Sequence, residues 1–208
     1  KGNFKRILIL PGISQIIDGS AHLIQAREIS TLDILGRNPV VIPLKKTLEY
    51  LRDTRVLITG AGGSIGSELA RQLLSAGASR LYLFGHGENS IYETEKELRL
   101  LQKEGVGEKA TIIPIVGELQ DKEFTHFILD RVKADVIFHC AAYKHVPMME
   151  KHPQEAVKNN ILGTRNMAQM ADKHGTKTFI QISTDKAVNP SSVMGASKRI
   201  AEMLIQDI

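Results

Sequence analysis

From Arg55 onward, five short aliphatic runs recur, each separated from the next by a longer periodic stretch. They are Arg55 to Thr59 (RVLIT), Leu81 to Phe84 (LYLF), Thr111 to Val116 (TIIPIV), Asp135 to His139 (DVIFH) and Thr178 to Ser183 (TFIQIS). None alternates polar with apolar residues, as a strand with one wet face does; continuous apolar runs suit parallel strands covered on both sides. Between them apolar residues recur at helical spacing: Ile65, Leu69 and Leu73, then Ile91 to Leu101, then Phe124 to Val132, then a long stretch from Pro153 to His174. Parallel neighbours need crossovers of this length. The repeat predicts an α/β domain, a doubly wound parallel sheet with helices on both faces.

Residues Lys1 to Arg55 do not continue the repeat. They offer a strand-like run at Arg6 to Leu10 (RILIL), followed by Pro11 and Gly12, and a second extended run at Pro39 to Pro43 (PVVIP). A piece of this size is too short for a core of its own. The expectation is that residues 1–54 are the tail of a preceding domain plus a connecting segment, and that 55–208 form a dinucleotide-binding domain. The chain starts at Lys1 without a methionine and ends in a helical pattern, Ile200, Leu204 and Ile208, so it reads as a segment of a longer protein.

Charge and cysteine content narrow the function classes. Of 27 basic and 23 acidic residues, 9 and 5 lie between Lys1 and Arg55, and 18 of each lie beyond. The basic excess is therefore confined to the first quarter, at low density and without interleaved aromatics, which argues for a solvated surface rather than nucleic-acid binding. The single cysteine, Cys140, excludes an internal disulfide and a thiolate zinc site, and no metal site is expected. No apolar run approaches the ~18 residues of a membrane-spanning helix.

The sharpest local signal is Thr59-Gly60-Ala61-Gly62-Gly63-Ser64-Ile65-Gly66, directly after the first strand and opening the first helix. A dinucleotide pyrophosphate needs backbone N–H groups at a helix N-terminus and a loop without Cβ atoms in its way. Gly60 suits the tight turn, Gly63 the approach to phosphate, and Gly66 the close packing of helix on strand, with Gly62, Ser64 and Ile65 completing the loop. The acidic residue that takes the adenosine ribose is expected about 20 residues later. Here the second strand ends in Phe84-Gly85-His86, with glycine at that position. A 2'-phosphate would not be repelled there and His86 could approach one, so the coenzyme is NAD or NADP. Glu118, after the third strand, offers a carboxylate to the adenine amino group or to solvent.

After the fourth strand comes His139-Cys140-Ala141-Ala142-Tyr143-Lys144-His145. Small side chains at Ala141 and Ala142 let backbone lie against a coenzyme, with Tyr143 beside them. Lys144 and His145 suit substrate phosphate, or solvent. Asn159 and Asn160 fall in the following helix, where Asn is unfavourable unless it makes hydrogen bonds; Asn160 is a candidate for positioning the coenzyme. The fifth strand runs into Ser183-Thr184-Asp185-Lys186, and Met194-Gly195-Ala196-Ser197-Lys198 follows.

With these motifs the segment from Val56 to Ile208 resembles an extended short-chain dehydrogenase/reductase. The stretches GHGENSIYETEKEL (85–98), HCAAYKHVPMMEKHPQEAVKNN (139–160) and ISTDKAVNPSSVMGASKR (182–199) are similar to the polysaccharide-biosynthesis nucleotide-sugar 4,6-dehydratases, the UDP-N-acetylglucosamine 4,6-dehydratase family, in its membrane-bound branch. The resemblance implies a hydro-lyase that oxidises the sugar at C4, eliminates water across C5 and C6, and returns the hydride to C6, with tightly bound, recycled NAD or NADP. It also implies upstream membrane helices, a location on the cytoplasmic face of the bacterial inner membrane, a capsule or exopolysaccharide pathway and a possible homo-oligomer. Lys186 is then the base at C5, Asp185 the acid for the departing hydroxyl, and Thr184 the hydroxyl that holds the C4 oxygen. Asp185 can donate near neutral pH only with a raised pKa, and Lys186 can accept only with a lowered one. Lys198 contacts the coenzyme, and Asn189 joins Lys144 and His145 at the substrate. Met194 departs from the general class, which has Tyr there; a thioether cannot accept the C4 hydroxyl proton, so Lys198 is the candidate acceptor. An epimerase or C4 oxidoreductase on the same scaffold, or a catalytically silent dinucleotide sensor, are the competing readings.

Overall fold

The computed structural model describes Leu8–Ile9, Arg27–Glu28 and residues 49–208. The chain divides into two compact units, Lys1–Ile42 and Pro43–Ile208. In the first, strand β1 (Leu8–Ile9), within the predicted run Arg6 to Leu10, pairs antiparallel with β2 (Arg27–Glu28). The expected extended run Pro39 to Pro43 lies outside the described residues.

The second unit is a five-stranded sheet, all parallel. Its strands are β3 (Arg55–Thr59), β4 (Arg80–Gly85), β5 (Thr111–Val116), β6 (Val136–His139) and β7 (Thr178–Gln181), in the order β5-β4-β3-β6-β7. All five predicted runs are strands, within two residues at each end. Helices α1 (Ser64–Ala76) and α2 (Glu88–Lys103) cover one face: Leu73, Leu74, Ile91 and Leu98 pack with Val56, Ile58, Leu81 and Leu83. Helices α3 (Lys122–Val132) and α6 (Thr164–Lys173) cover the other, where Leu129, Met167 and Ala171 meet Leu57, Phe84 and Ile137. The sheet is thus apolar on both sides, as its unalternating runs require. The unit begins ahead of the expected boundary at Arg55: Leu51, in a short 3-10 turn at Glu49–Leu51, is fully buried in the α1 and α2 core.

Local chemistry sets the element ends. Gly77, at φ 92°, closes α1 with its N–H on the carbonyls of Leu73 and Leu74, and Asp121 caps α3 by accepting from the Phe124 N–H at 2.8 Å. Pro114 is tolerated in β5 because that strand is an edge. At the amino edge of the sheet Asp135 accepts from both the backbone N–H and Nε of Arg55, each at 3.0 Å, and the guanidinium holds its carboxyl well below the usual range.

The long helical stretch from Pro153 to His174 is present but not uniform. It follows a short helix α4 (Val146–Lys151) and runs as α5 (Pro153–Ala156), a π-helical segment Val157–Gly163, and α6. Helix α7 (Val193–Gln206) follows a 3-10 turn at Asp185–Ala187; Ser192 caps it by accepting from the Gly195 N–H. Among the described residues no helix is long and apolar enough to cross a membrane.

Candidate active site

In a doubly wound sheet, adjacent crossovers to opposite faces leave a crevice at the carboxyl ends of the strands where the order reverses. Here that point lies between β3 and β6. A cleft of about 280 Å³ opens there, lined by the glycine loop, Gly85 to Gly87, Gly117 to Gln120, Cys140 to Lys144 and Asn159.

The loop's shape depends on missing side chains. Gly60 has φ +65°, and a Cβ on it would lie 2.8 Å from the Cα and N of Ala141. A Cβ on Gly66 would overlap the Gly60 carbonyl oxygen and press on Ala61, so only glycine lets α1 start this close to β3. Gly63 is the extended N-cap of α1 and supplies no capping side chain, which leaves the N–H groups of the first helical turn for a ligand. An open helix N-terminus facing a cradle without Cβ atoms fits a dinucleotide pyrophosphate. Ile65, predicted on the apolar face with Leu69 and Leu73, is 57% exposed and lines the cleft instead, because it sits in this first turn. Gly85 occupies the expected carboxylate position, and His86 and Glu118 both line the cleft.

Beneath the cleft is a buried polar relay that the sequence reading did not assign. His139, fully buried, has Nδ1 2.8 Å from Thr59 Oγ1 and Nε2 2.9 Å from Thr164 Oγ1. Thr59 Oγ1 also accepts the Ala141 N–H at 3.3 Å, and the neutral imidazole donates from one ring nitrogen and accepts at the other. Burial lowers its pKa to about 3, so the ring is neutral and the relay does not titrate near pH 7. It ties the ends of β3 and β6, hence two walls of the cleft, to α6. The available signal was a histidine ending an otherwise apolar strand. Next to it, burial pushes the Cys140 thiol up to about 11.

Of the residues expected at the coenzyme, the loop positions Gly60, Gly62, Gly63, Ser64, Ile65 and Gly66 and the wall positions His86, Glu118, Ala141, Ala142 and Tyr143 all line the cleft; Asn160 and Lys198 do not. Asn160 is buried in the π segment, accepts the Tyr143 N–H (2.8 Å) and donates to the Tyr143 carbonyl (3.0 Å) and to Ser197 Oγ (3.0 Å). It therefore acts on the cleft through Tyr143, whose ring stands edge-on to His86 across it, centroids 6.4 Å apart. Of the residues expected at the substrate, Lys144 lines the cleft while His145 is the exposed N-cap of α4. Asn189 is exposed, with φ 48°.

The candidate catalytic turn follows β7. Thr184 Oγ1 donates to Asp185 Oδ1 (2.9 Å), and Lys186 Nζ donates to the same oxygen (3.1 Å). Both charged side chains are exposed, Asp185 at 86% and Lys186 at 54%. The raised pKa expected of Asp185 is not what this geometry produces: the Thr184 hydroxyl and the Lys186 ammonium hold its carboxyl below the usual range, and the slight desolvation there does not offset them. Lys198 is different. It is 5% exposed, Nζ donates to the Ile182 carbonyl at 2.7 Å, and burial lowers its pKa while Glu202 and Cys140 oppose the shift. Met194, 3% exposed, packs with Met149, Ala156 and Tyr143 and belongs to the core.

A five-stranded parallel sheet in this order, with a glycine cradle at its switch point and a Lys-bearing helix after the fifth strand, defines a Rossmann domain of the short-chain dehydrogenase/reductase type. Residues 56–208 match the family model described as polysaccharide biosynthesis protein, and the chain belongs to that family. It is 42% identical over 199 residues to the capsular polysaccharide biosynthesis protein CapD of Staphylococcus aureus, covering 96% of this chain and 33% of that protein. It is 32% identical over 149 residues to a UDP-N-acetylglucosamine 4,6-dehydratase (inverting) of Campylobacter jejuni, covering 72% of this chain and 42% of the relative. The structure of Pen from Bacillus thuringiensis superposes with a TM-score of 0.67 at 29% identity, over 76% of this chain and 46% of that one. The chain therefore spans between a third and just under half the length of these relatives.

Proposed function

We propose that the intact protein is a nucleotide-sugar 4,6-dehydratase of polysaccharide biosynthesis, converting a UDP-N-acetylglucosamine-type substrate to its 4-keto-6-deoxy product. The observation that carries this reading is the Thr184–Asp185–Lys186 turn at the carboxyl end of β7, with Lys198 anchored on the residue two before it. An acid, a base and a hydroxyl at one strand end are what elimination of water adjacent to a carbonyl requires, and an epimerase needs no such pair.

Gly60, Gly63 and the first turn of α1 would hold the pyrophosphate of NAD or NADP, which would supply reversible hydride acceptance. The chain's own residues do the rest. Lys198, which does not itself line the cleft, takes the C4 hydroxyl proton through water or Thr184; burial favours its neutral form, and Met194, turned into the core, leaves that task to it. Thr184 holds the C4 oxygen. Lys186 removes the C5 proton and Asp185 protonates the departing C6 hydroxyl. A nucleotide sugar seated over the turn displaces the water around Asp185 and raises its pKa toward what an acid requires. Lys144, which lines the cleft, suits a diphosphate, and contacts of His145 and Asn189 to the sugar belong to the same reading. Membrane association of the intact protein on the cytoplasmic face, and a homo-oligomer, belong to the same reading.

The test is mass spectrometry of UDP-sugars incubated with the intact protein. Loss of one water, abolished by Lys186→Ala together with C5 hydrogen exchange into the substrate, is the expected result. Conversion without change of mass points to an epimerase; coenzyme binding with no turnover points to a sensor.

A further inference from the structure

Helix α7 grips the end of β7 at two consecutive residues. Lys198 Nζ donates to the Ile182 carbonyl (2.7 Å), and one helical turn on, Glu202 accepts from the Ser183 hydroxyl. Positions four apart lie on one helix face, so a single stripe of α7 holds both. Arg199 Nη1 donates to the second oxygen of Glu202 (3.0 Å) and fixes the carboxylate's orientation. Neither Ser183 nor Glu202 lines the cleft, and no step of the reaction above uses them. Immediately after this grip the chain turns through Thr184, which is half-buried, and Asp185 and Lys186, whose side chains are exposed.

Resting on the function proposed above, we infer that Glu202 is a positioning residue: with Ser183 it holds the end of β7 so that the Thr184–Lys186 turn stands at a fixed offset from Lys198. A hydrogen bond this exposed adds little to global stability, so its effect is on placement. Glu202 also faces Lys198 and favours its charged form against burial; the other titratable groups facing Lys198 are His139 and Cys140 at the end of β6, while Arg199 on α7 pairs with Glu202.

The experiment compares Ser183→Ala, Glu202→Ala and Glu202→Gln in the intact protein. Ser183→Ala and Glu202→Ala are expected to lower kcat about tenfold, with KM and bound coenzyme unchanged. Glu202→Gln keeps an acceptor for Ser183 and is expected to recover most of kcat. It also moves the acidic limb of the pH–rate profile to lower pH, because Lys198 then loses its proton more readily. Hydrogen exchange supplies a readout independent of turnover: the amides of Ala187 and Val188, bonded to the carbonyls of Thr184 and Asp185, should exchange about tenfold faster in the two alanine variants while β3 amides do not change. Wild-type exchange at Ala187 and Val188 in both alanine variants overturns the inference, as does a kcat loss that follows a general fall in Tm or coenzyme content. If the intact protein converts no UDP-sugar but these amides respond, the proposed function fails and the positioning role stands.

Discussion

At Gly66 a single methyl group decides whether the site exists. Its Cβ would occupy the space of the Gly60 carbonyl oxygen, a backbone atom that cannot swing aside, so Gly66→Ala has to push α1 away from β3. The N–H groups of the first helical turn then leave the cradle. The expected outcome is a dinucleotide Kd at least tenfold weaker than wild type and loss of most of the coenzyme-induced rise in Tm, measured by calorimetry and thermal melts. Gly63→Ala is the graded comparison. Its Cβ would lie 3.2 Å from the same oxygen, a contact that a small shift relieves, so the loss should be smaller.

Between elements, the tightest contact near the chemistry is that of α7 on the 3-10 turn. A Cβ on Gly195 would overlap the Lys186 carbonyl oxygen, so Gly195→Ala should displace the turn and lower kcat about tenfold or more, while coenzyme affinity, set at the glycine loop, changes less than threefold. Steady-state kinetics and a coenzyme titration separate the two. These relations were unevenly legible in the sequence. The glycine loop was readable because spacing alone encodes where Cβ atoms must be missing, and the strands because two-sided burial leaves unbroken apolar runs. Asp185 and Lys198 share the same kind of motif, yet one is open to water and the other is buried. Which of them is covered depends on how α7 packs, and no local pattern carries that. The relay through Thr59, His139 and Thr164 was hidden for a related reason: its members lie 80 and 25 residues apart and meet only once β3, β6 and α6 are assembled.

For the whole molecule, His139 links the cleft to stability. Its pKa is about 3 when folded, against an ordinary value of 6.5. Above pH 6.5 neither state binds the extra proton and the contribution is complete. As pH falls below 6.5 the unfolded chain takes up a proton that the folded chain refuses, so stability declines until about pH 3, by up to roughly 1.4 kcal/mol per pH unit. Asp135, whose folded pKa is depressed, adds a second loss that begins only near its ordinary value of 3.8. Urea unfolding between pH 7.5 and 4.5 should therefore show a falling midpoint that is flatter in His139→Gln; an equal slope in that variant would assign the dependence elsewhere.

The π-helical segment Val157–Gly163 sets a limit on how this part of the chain can vary in length. A π-helix turns less per residue than the roughly 100° of an α-helix, so Val157–Gly163 takes up one extra residue while α5 and α6 keep the phase they would have on one continuous α-helix. Removing one residue here would return the segment to ordinary α-helix with Met167 and Ala171 still on the sheet, and the change would fall on Asn160 and its bonds to Tyr143 and Ser197. The extra residue thus serves the cleft wall rather than the core: losing it would cost Tyr143 its support from Asn160 before it cost any packing of α6 on the sheet.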